Sequence, residues 1–235
     1  MMSSAEAATN RREGGLLQHV LQSAEKGNPQ SVLDAMDGYA QQKAWLPNIG
    51  DEKGAILDAV VKRWNPELCL ELGTFCGYSA IRIAFLLTHP HSKLFSLEID
   101  PIRAQIARAI IDHAGLSSKV EIVEGTLSEQ GDKLGEVLKA GWGVSQFGLV
   151  FVDHDKGLYL SDFERLKNKR LIGAGSVIVT DNMKFAGSAA FLEYLRSHGE
   201  ELETEEHMSH VEYRPWEPDM VTVSVYKAHL PQLNN

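Results

Sequence analysis

Leu68-Cys69-Leu70-Glu71-Leu72-Gly73-Thr74-Phe75-Cys76-Gly77-Tyr78-Ser79 opens on a short apolar run and turns through two glycines into the amphipathic run 80–87. The apolar run reads as a buried parallel strand. Strand, glycine turn and helix start make the first half of a nucleotide-binding βαβ unit. Gly73 and Gly77 carry no Cβ, so backbone and ligand can approach closely there.

The spacing Gly-x-x-x-Gly-x-Ser lacks the last glycine of the dinucleotide fingerprint. Glu71, two positions before the first glycine, is expected to project from the strand end toward the turn. A carboxylate in that place repels a pyrophosphate and attracts an ammonium group. The ligand implied joins a nucleoside to a cationic amino acid, which describes S-adenosylmethionine. NAD, or a turn with no ligand, are the other readings of this stretch.

At 235 residues the chain is long enough for one α/β domain with a substantial core. Its formal net charge of -9 disfavours nonspecific binding to nucleic acid or anionic membranes. No basic patch with interleaved aromatics offsets that charge. The two cysteines, Cys69 and Cys76, read as reduced core thiols, which suits a cytoplasmic protein. No stretch is long and apolar enough to span a membrane, and the polar N-terminus lacks the apolar core of a signal peptide. The expected partner is a small molecule, with no nucleic acid and no membrane, and the expected state is a monomer or weak dimer.

Residues 1–12 read as a disordered tail, and 13–235 as one domain with a helical cap over 13–64. Leu16, Leu17, Val20 and Leu21 fall at helical spacing up to the break at Gly27-Asn28-Pro29. A second helix is expected over 31–43. A third has Ile56, Leu57, Val60 and Val61 on its apolar face and Asp51 as its cap. Beyond the glycine turn, strands are expected at 93–98, 119–125, 147–153 and 176–181. Helices alternate with them at 101–113, 129–140, 159–171 and 189–198. Two antiparallel strands close the chain, a weak one at 203–207 and a strong one at 220–226. The pattern is α/β: a Rossmann-like open, mostly parallel sheet with helices on both faces.

In such sheets ligands sit at the carboxyl ends of the strands. Glu71 and Gly73 end the first, Glu98 the second, Asp153 the fourth, and Asp181 with Asn182 the fifth. Glu98 can accept both ribose hydroxyl protons. Asp153, Asp181 and Asn182 offer oxygen ligands on neighbouring strand ends, a set that suits Mg²⁺. Lys156 lies three residues past Asp153; a neighbouring cation and burial would lower its pKa and make it a candidate base. His154 either lines the cofactor site or satisfies a backbone group.

Taken together these residues resemble the catechol O-methyltransferase family of class I methyltransferases. The likeness spans about 44–226 and rests on Asn48-Ile49-Gly50-Asp51-Glu52-Lys53-Gly54, the Glu71 to Ala80 turn, Glu98-Ile99-Asp100-Pro101, Val152-Asp153-His154 with Lys156, Asp181-Asn182, and His210-Val211-Glu212-Tyr213-Arg214. The resemblance implies a seven-stranded sheet with the last strand antiparallel. It implies Mg²⁺ on Asp153, Asp181 and Asn182, and Lys156 as the general base. Glu212 would accept a hydrogen bond from the second hydroxyl of a catechol. Ile49, Glu71, Gly73, Tyr78, Ser79, Glu98, Ile99, Gly125, Ser128, Asp153 and His154 would surround S-adenosylmethionine. Trp45, Pro47, Lys156, Asn182 and Glu212 would meet the diol, with Trp45 as one wall of its slot.

The sequence departs from that family at Asp155 (Trp in the family), Pro47 (Met), Ala186 (Pro) and Leu127 (Ser). The reaction type is thus more firmly indicated than the substrate, and Asp155 at the mouth is expected to favour cationic diols. Competing readings are a metal-dependent O-methyltransferase of the caffeoyl-coenzyme A type, a non-catalytic binding protein of the same fold, and an NAD-linked reductase.

Overall fold

The computed structural model describes residues 12–227. The expected disordered tail falls outside these residues except for Arg12, which opens the first helix.

Three helices precede the sheet: α1 (Arg12–Ser23), α2 (Pro29–Gln42) and α3 (Gly50–Trp64). Asn28 caps α2 by accepting the Ser31 N–H, and Pro29 sits in the first turn, where its missing donor is harmless. Asp51 is not the cap of α3. That helix begins one residue earlier at Gly50, and Asp51 and Glu52 instead lie in its first turn, where the positive end of the helix dipole favours them.

The remainder alternates: β1 (Leu68–Leu72), α4 (Tyr78–Leu86), β2 (Lys93–Glu98), α5 (Pro101–His113), β3 (Val120–Glu124), α6 (Leu127–Trp142), β4 (Leu149–Val152), α7 (Tyr159–Asn168), β5 (Val177–Thr180), α8 (Ala189–Ser197), β6 (Leu202–Val211) and β7 (Arg214–Tyr226). Short 3₁₀ turns at Lys156–Leu158 and Ala186–Ser188 lead into α7 and α8. The seven strands are ordered β3-β2-β1-β4-β5-β7-β6. β1 to β5 are parallel, and β7, the last in the chain, runs antiparallel between β5 and β6. β6 is twice the length the sequence suggests. As an edge strand it buries few side chains, which leaves only a faint apolar alternation. β7 extends back to Arg214 through Pro215 and Pro218, residues that argue against a strand except at an edge.

Successive residues of a strand face opposite sides of the sheet. On β1, Cys69 packs with α1 to α5, while Leu68, Leu70 and Leu72 pack with α6, α7 and α8. The registers then set the rim. Leu72 pairs with Leu97 on one side and Val152 on the other, and Val152 pairs with Thr180. The next residues, Gly73, Glu98, Asp153 and Asp181, therefore stand along one edge, at the switch point where β1 is flanked by β2 and β4.

Gly73 adopts φ +97, and a Cβ there would lie 2.7 Å from the Asp153 carbonyl oxygen. Both the left-handed backbone and the contact with an immobile chain exclude a side chain. Gly73→Ala is expected to lose about 2 kcal/mol or more in urea unfolding. A loss below about 0.5 kcal/mol would show that the turn tolerates a Cβ.

Candidate active site

A cavity of about 390 Å³ opens at the carboxyl ends of β1, β2 and β4. At one end it is bounded by Glu98, Ile99, Gly125 and Arg103; in the middle by Gly73, Tyr78, Ser79 and His154; at the other end by Ile49, Pro47, Asp153, Lys156, Asn182 and Glu212. Four candidate residues are not on this wall: Trp45, Glu71, Ser128 and Asp181.

Glu98 is held by two backbone donors, the Phe75 N–H at 2.8 Å and the Asp100 N–H at 2.9 Å. Each oxygen keeps a second lone pair for a ligand. Burial raises its pKa, and those two N–H groups oppose the rise. Ser128 is exposed on the first turn of α6, and Thr126 and Leu127 line the cavity in its place. Thr126 is also tied up in a capping box with Glu129.

Glu71 follows Cys69 at period two, so it points to the α1–α5 side of the sheet and is wholly buried. Ser79 Oγ donates to it at 2.5 Å, and Ser96 Oγ donates to its other oxygen. Ser79 lies between Glu71 and the cavity. Burial pushes the Glu71 carboxyl up to about 8, against the pull of the two hydroxyls.

His154 Nε2 meets Asp162 Oδ2 at 2.8 Å, and Arg165 holds the other Asp162 oxygen. The second ring nitrogen, Nδ1, is buried with no hydrogen-bond partner.

At the far end charge dominates. Lys53 of α3 is fully buried; its Nζ lies 2.8 and 2.9 Å from the two oxygens of Asp181, 3.2 Å from Glu212 Oε2 and 2.8 Å from Asp219 Oδ2. Asp219 in turn accepts Asn182 Nδ2–H at 2.8 Å. That bond fixes the amide so that its remaining polar atom is the carbonyl oxygen. Asn182 itself adopts φ 54, a left-handed conformation, and its N–H donates to Asp181 Oδ1 at 2.7 Å. Asp181 thus sits behind the cavity wall, while Asp153 and Asn182 are on it. Burial raises the Asp181 pKa; Lys53 opposes that, and the Asp153 and Asp219 charges add to it. Burial also raises Glu212, again against Lys53.

Lys156 Nζ contacts Asp153 Oδ1 at 2.9 Å. Burial works to lower its pKa, but Asp153 and Asp181 outweigh it, so the ammonium is held above its ordinary value. The lowered value expected beside a cation is therefore not what the carboxylates alone produce. Trp45 is also not a cavity wall. Its indole N–H donates to the Glu212 carbonyl at 3.1 Å, and the Arg214 guanidinium lies over its ring at 4.6 Å. Asp155, at the mouth, accepts the Gly157 N–H and caps the 3₁₀ turn that carries Lys156.

Sequence reasoning passed over Lys53, Asp219 and Arg103. Lys53 had a signal. It falls at i, i+4, i+7 with Leu57 and Val60, on the apolar stripe of α3, where a charge demands partners.

Two fits can be judged on this geometry. A nucleoside–amino-acid ligand suits the bare backbone of Gly73 on the cavity wall, the Glu98 carboxylate and the unpartnered His154 Nδ1. A hard divalent cation suits an oxygen-only donor set. Among the described residues no three His, Cys, Asp or Glu side chains are grouped to hold a metal, since here the third donor is an amide. In the cluster, Asp153, Asp181, Glu212 and Asp219 face two ammonium groups, Lys53 and Lys156, which leaves two negative charges unmatched when all are ionised.

The O-methyltransferase family profile matches residues 23–207. A probable O-methyltransferase of Mycobacterium tuberculosis is 38% identical over 216 residues, covering 92% of each chain. Catechol O-methyltransferase B of Danio rerio is 44% identical over 182 residues, 77% of this chain and 67% of that protein. Catechol O-methyltransferase of Mus musculus is 41% identical over 202 residues, 86% of this chain and 74% of that protein. Among solved structures, the O-methyltransferase TomG of Streptomyces achromogenes, in complex with SAM, superposes with a TM-score of 0.68 at 22% identity, over 83% of this chain and 90% of that one.

The Glu71 site yields a test by pH. The folded carboxyl keeps its proton up to about 8, whereas the ordinary value is 4.5. Between those values the unfolded chain releases a proton that the folded one retains, so this group's contribution falls as pH rises through the window. Glu71→Gln has no such proton. Its stability relative to the parent is expected to climb by up to about 1.4 kcal/mol per pH unit across the window and then level off. Parallel stability curves for the two proteins would refute the burial account of Glu71.

Proposed function

The chain belongs to the O-methyltransferase family, and from that premise we propose that it methylates one hydroxyl of a vicinal aromatic diol, with S-adenosylmethionine as donor and Mg²⁺ at the diol. The observation that carries this reading is the far end of the cavity. Asp153, Asn182, Lys156 and Glu212 share one wall, and with Asp181 and Asp219 behind it they gather four carboxyl groups against two ammonium groups. The identity to catechol O-methyltransferases of two vertebrates supports the substrate class.

S-adenosylmethionine supplies the methyl group that passes to a hydroxyl oxygen. Glu98 would hold the ribose, and the bare backbone at Gly73 would admit the amino-acid end. Asp153, Asp181 and Asn182 would hold the cation, whose charge acidifies a nearby hydroxyl. Asp181 must then share an oxygen between the cation and Lys53, which its two oxygens permit. With the cation's charge drawing its pKa back down, Lys156 would reach the neutral form, and its Nζ would then receive the hydroxyl proton. Glu212 would accept the hydrogen bond of the other hydroxyl through an oxygen that Lys53 leaves free. Pro47 and Ile49 close the apolar side and keep water from the reacting oxygen. Orientation of the two reactants by these walls would contribute several kcal/mol, on the order of 7 at best. Asp155 at the mouth makes cationic diols the favoured class.

Methyl transfer from labelled S-adenosylmethionine to a catechol, with and without EDTA, tests the reading. We expect chelation to abolish transfer and Mg²⁺ to restore it. Lys156→Ala is expected to lower kcat by about 10²–10⁴-fold. Transfer indifferent to EDTA would remove the cation, and an unchanged kcat would remove Lys156 as proton acceptor.

A further inference from the structure

Lys53 and Asp219 are both fully buried and neither lines the cavity that holds the reacting groups. Yet every oxygen donor on the fourth and fifth strand tips, except Asp153, is bonded to one of them. Lys53 bridges Asp181 and Glu212, groups 31 residues apart in sequence that arrive on different strands. Asp219, on β7 three residues before its pairing with β5 begins at Thr222, accepts from Lys53 and from the Asn182 amide with the same oxygen. Its other oxygen faces the Lys184 N–H at 3.5 Å, just after the Asp181-Asn182 turn. The room is fixed as well: Gly50, at the start of α3, has φ +73, and a Cβ there would come within 2.9 Å of Glu212 Cβ.

We infer that Lys53 and Asp219 are positioning residues: they fix the Asp181 carboxylate, the Asn182 amide and the Glu212 carboxylate in one arrangement before any ligand arrives. This rests on the reading of Asp181 and Asn182 as cation ligands. The chemistry is a division of labour over one ammonium. Lys53 neutralises part of the repulsion among three carboxylates, so they can stand close together in a site without water. Asp219 removes the ambiguity of Asn182. An amide can present either nitrogen or oxygen, and only the oxygen serves a hard cation. With its nitrogen donated to Asp219, Asn182 can present only oxygen. The left-handed backbone at Asn182 is held by the same contacts, together with the Ser188 hydroxyl, which donates to the Asn182 carbonyl at 3.0 Å.

The two residues differ in how they can be tested. Lys53→Met leaves three buried carboxylates without a counter-charge, and loss of folding is the expected result. Asp219→Leu keeps the approximate size, offers no acceptor to Asn182 and leaves Lys53 two carboxylates, so it reads the positioning itself. The experiment titrates Mn²⁺ into the full chain, followed by electron paramagnetic resonance, and S-adenosylhomocysteine separately, followed by calorimetry. For Asp219→Leu we expect Mn²⁺ affinity to fall by about 10–100-fold, the usual effect of losing a partner that orients a metal ligand. Affinity for S-adenosylhomocysteine, which binds at the other end of the cavity, stays within about twofold, since sites without shared partners act independently. Raising Mg²⁺ should restore most of kcat, a rescue that general structural damage would not allow. Unchanged Mn²⁺ affinity in Asp219→Leu overturns the inference. Parallel loss of Mn²⁺ and S-adenosylhomocysteine affinity also overturns it, because Asp219 would then be only a structural residue. Failure of the parent protein to bind Mn²⁺ at all would instead defeat the cation reading beneath it.

Discussion

One ammonium group in the interior, Lys53, holds the charged end of the cavity together. Its Nζ has three carboxylates within 3.2 Å and no exposure to solvent. A buried charge is tolerated only with partners, and removing one member of such a group typically costs about 3–5 kcal/mol. The arrangement therefore does not exist to stabilise the fold, since an apolar core would do that better. It makes three strands and one helix agree on where their charged ends stand. α3 brings the lysine, β5 leads into Asp181, and the β6–β7 hairpin brings Glu212 and Asp219.

The sheet makes this agreement possible. Parallel strands in matched register deliver their following residues to one rim, and the antiparallel insertion of β7 beside β5 adds a second source of acids to the same place. Period two along β1 divides the work further. Leu72 faces the α6–α8 core, Glu71 the opposite one, and Gly73 carries the chain over the cavity floor. Glu71 thus backs the middle of the cavity from behind through Ser79, much as Lys53 and Asp219 back the far end. Both parts of the wall have a set of buried side chains behind the ones that face the cavity.

The five parallel strands and their order of appearance were legible in the sequence because they are short, mostly apolar runs that end on or run into a charged or small residue, which β6 is not. The rim followed from the rule that ligands gather at carboxyl ends. Glu98, Asp153, Asn182 and Lys156 were found that way, and all lie on the cavity wall. Asp219 could not be found so. Its partner Asn182 is 37 residues away, and they meet only because β7 passes between β5 and β6, a topology no local pattern encodes. Trp45 entered as a wall only through the family resemblance, with no local pattern behind it. Its indole N–H, satisfied by the Glu212 carbonyl, gives it a structural task instead. Ser128 lies one residue past Leu127, on the exposed side of the first turn of α6, whose start is set by the capping box at Thr126. Lys53 alone was within reach, as the one charge on the buried stripe of its helix.

The central claim is that strand tips carrying Asp153, Asp181 and Asn182 form a cation site held from behind by a lysine. A crystal structure of the protein soaked in Mn²⁺, with the ion placed by its anomalous scattering, tests it most directly. The account predicts a single strong peak bounded by oxygens of those three residues, with Lys53 still bonded to Asp181 and Glu212. A peak at another place, or an ion seated only after Lys53 has been expelled from the interior, would contradict it.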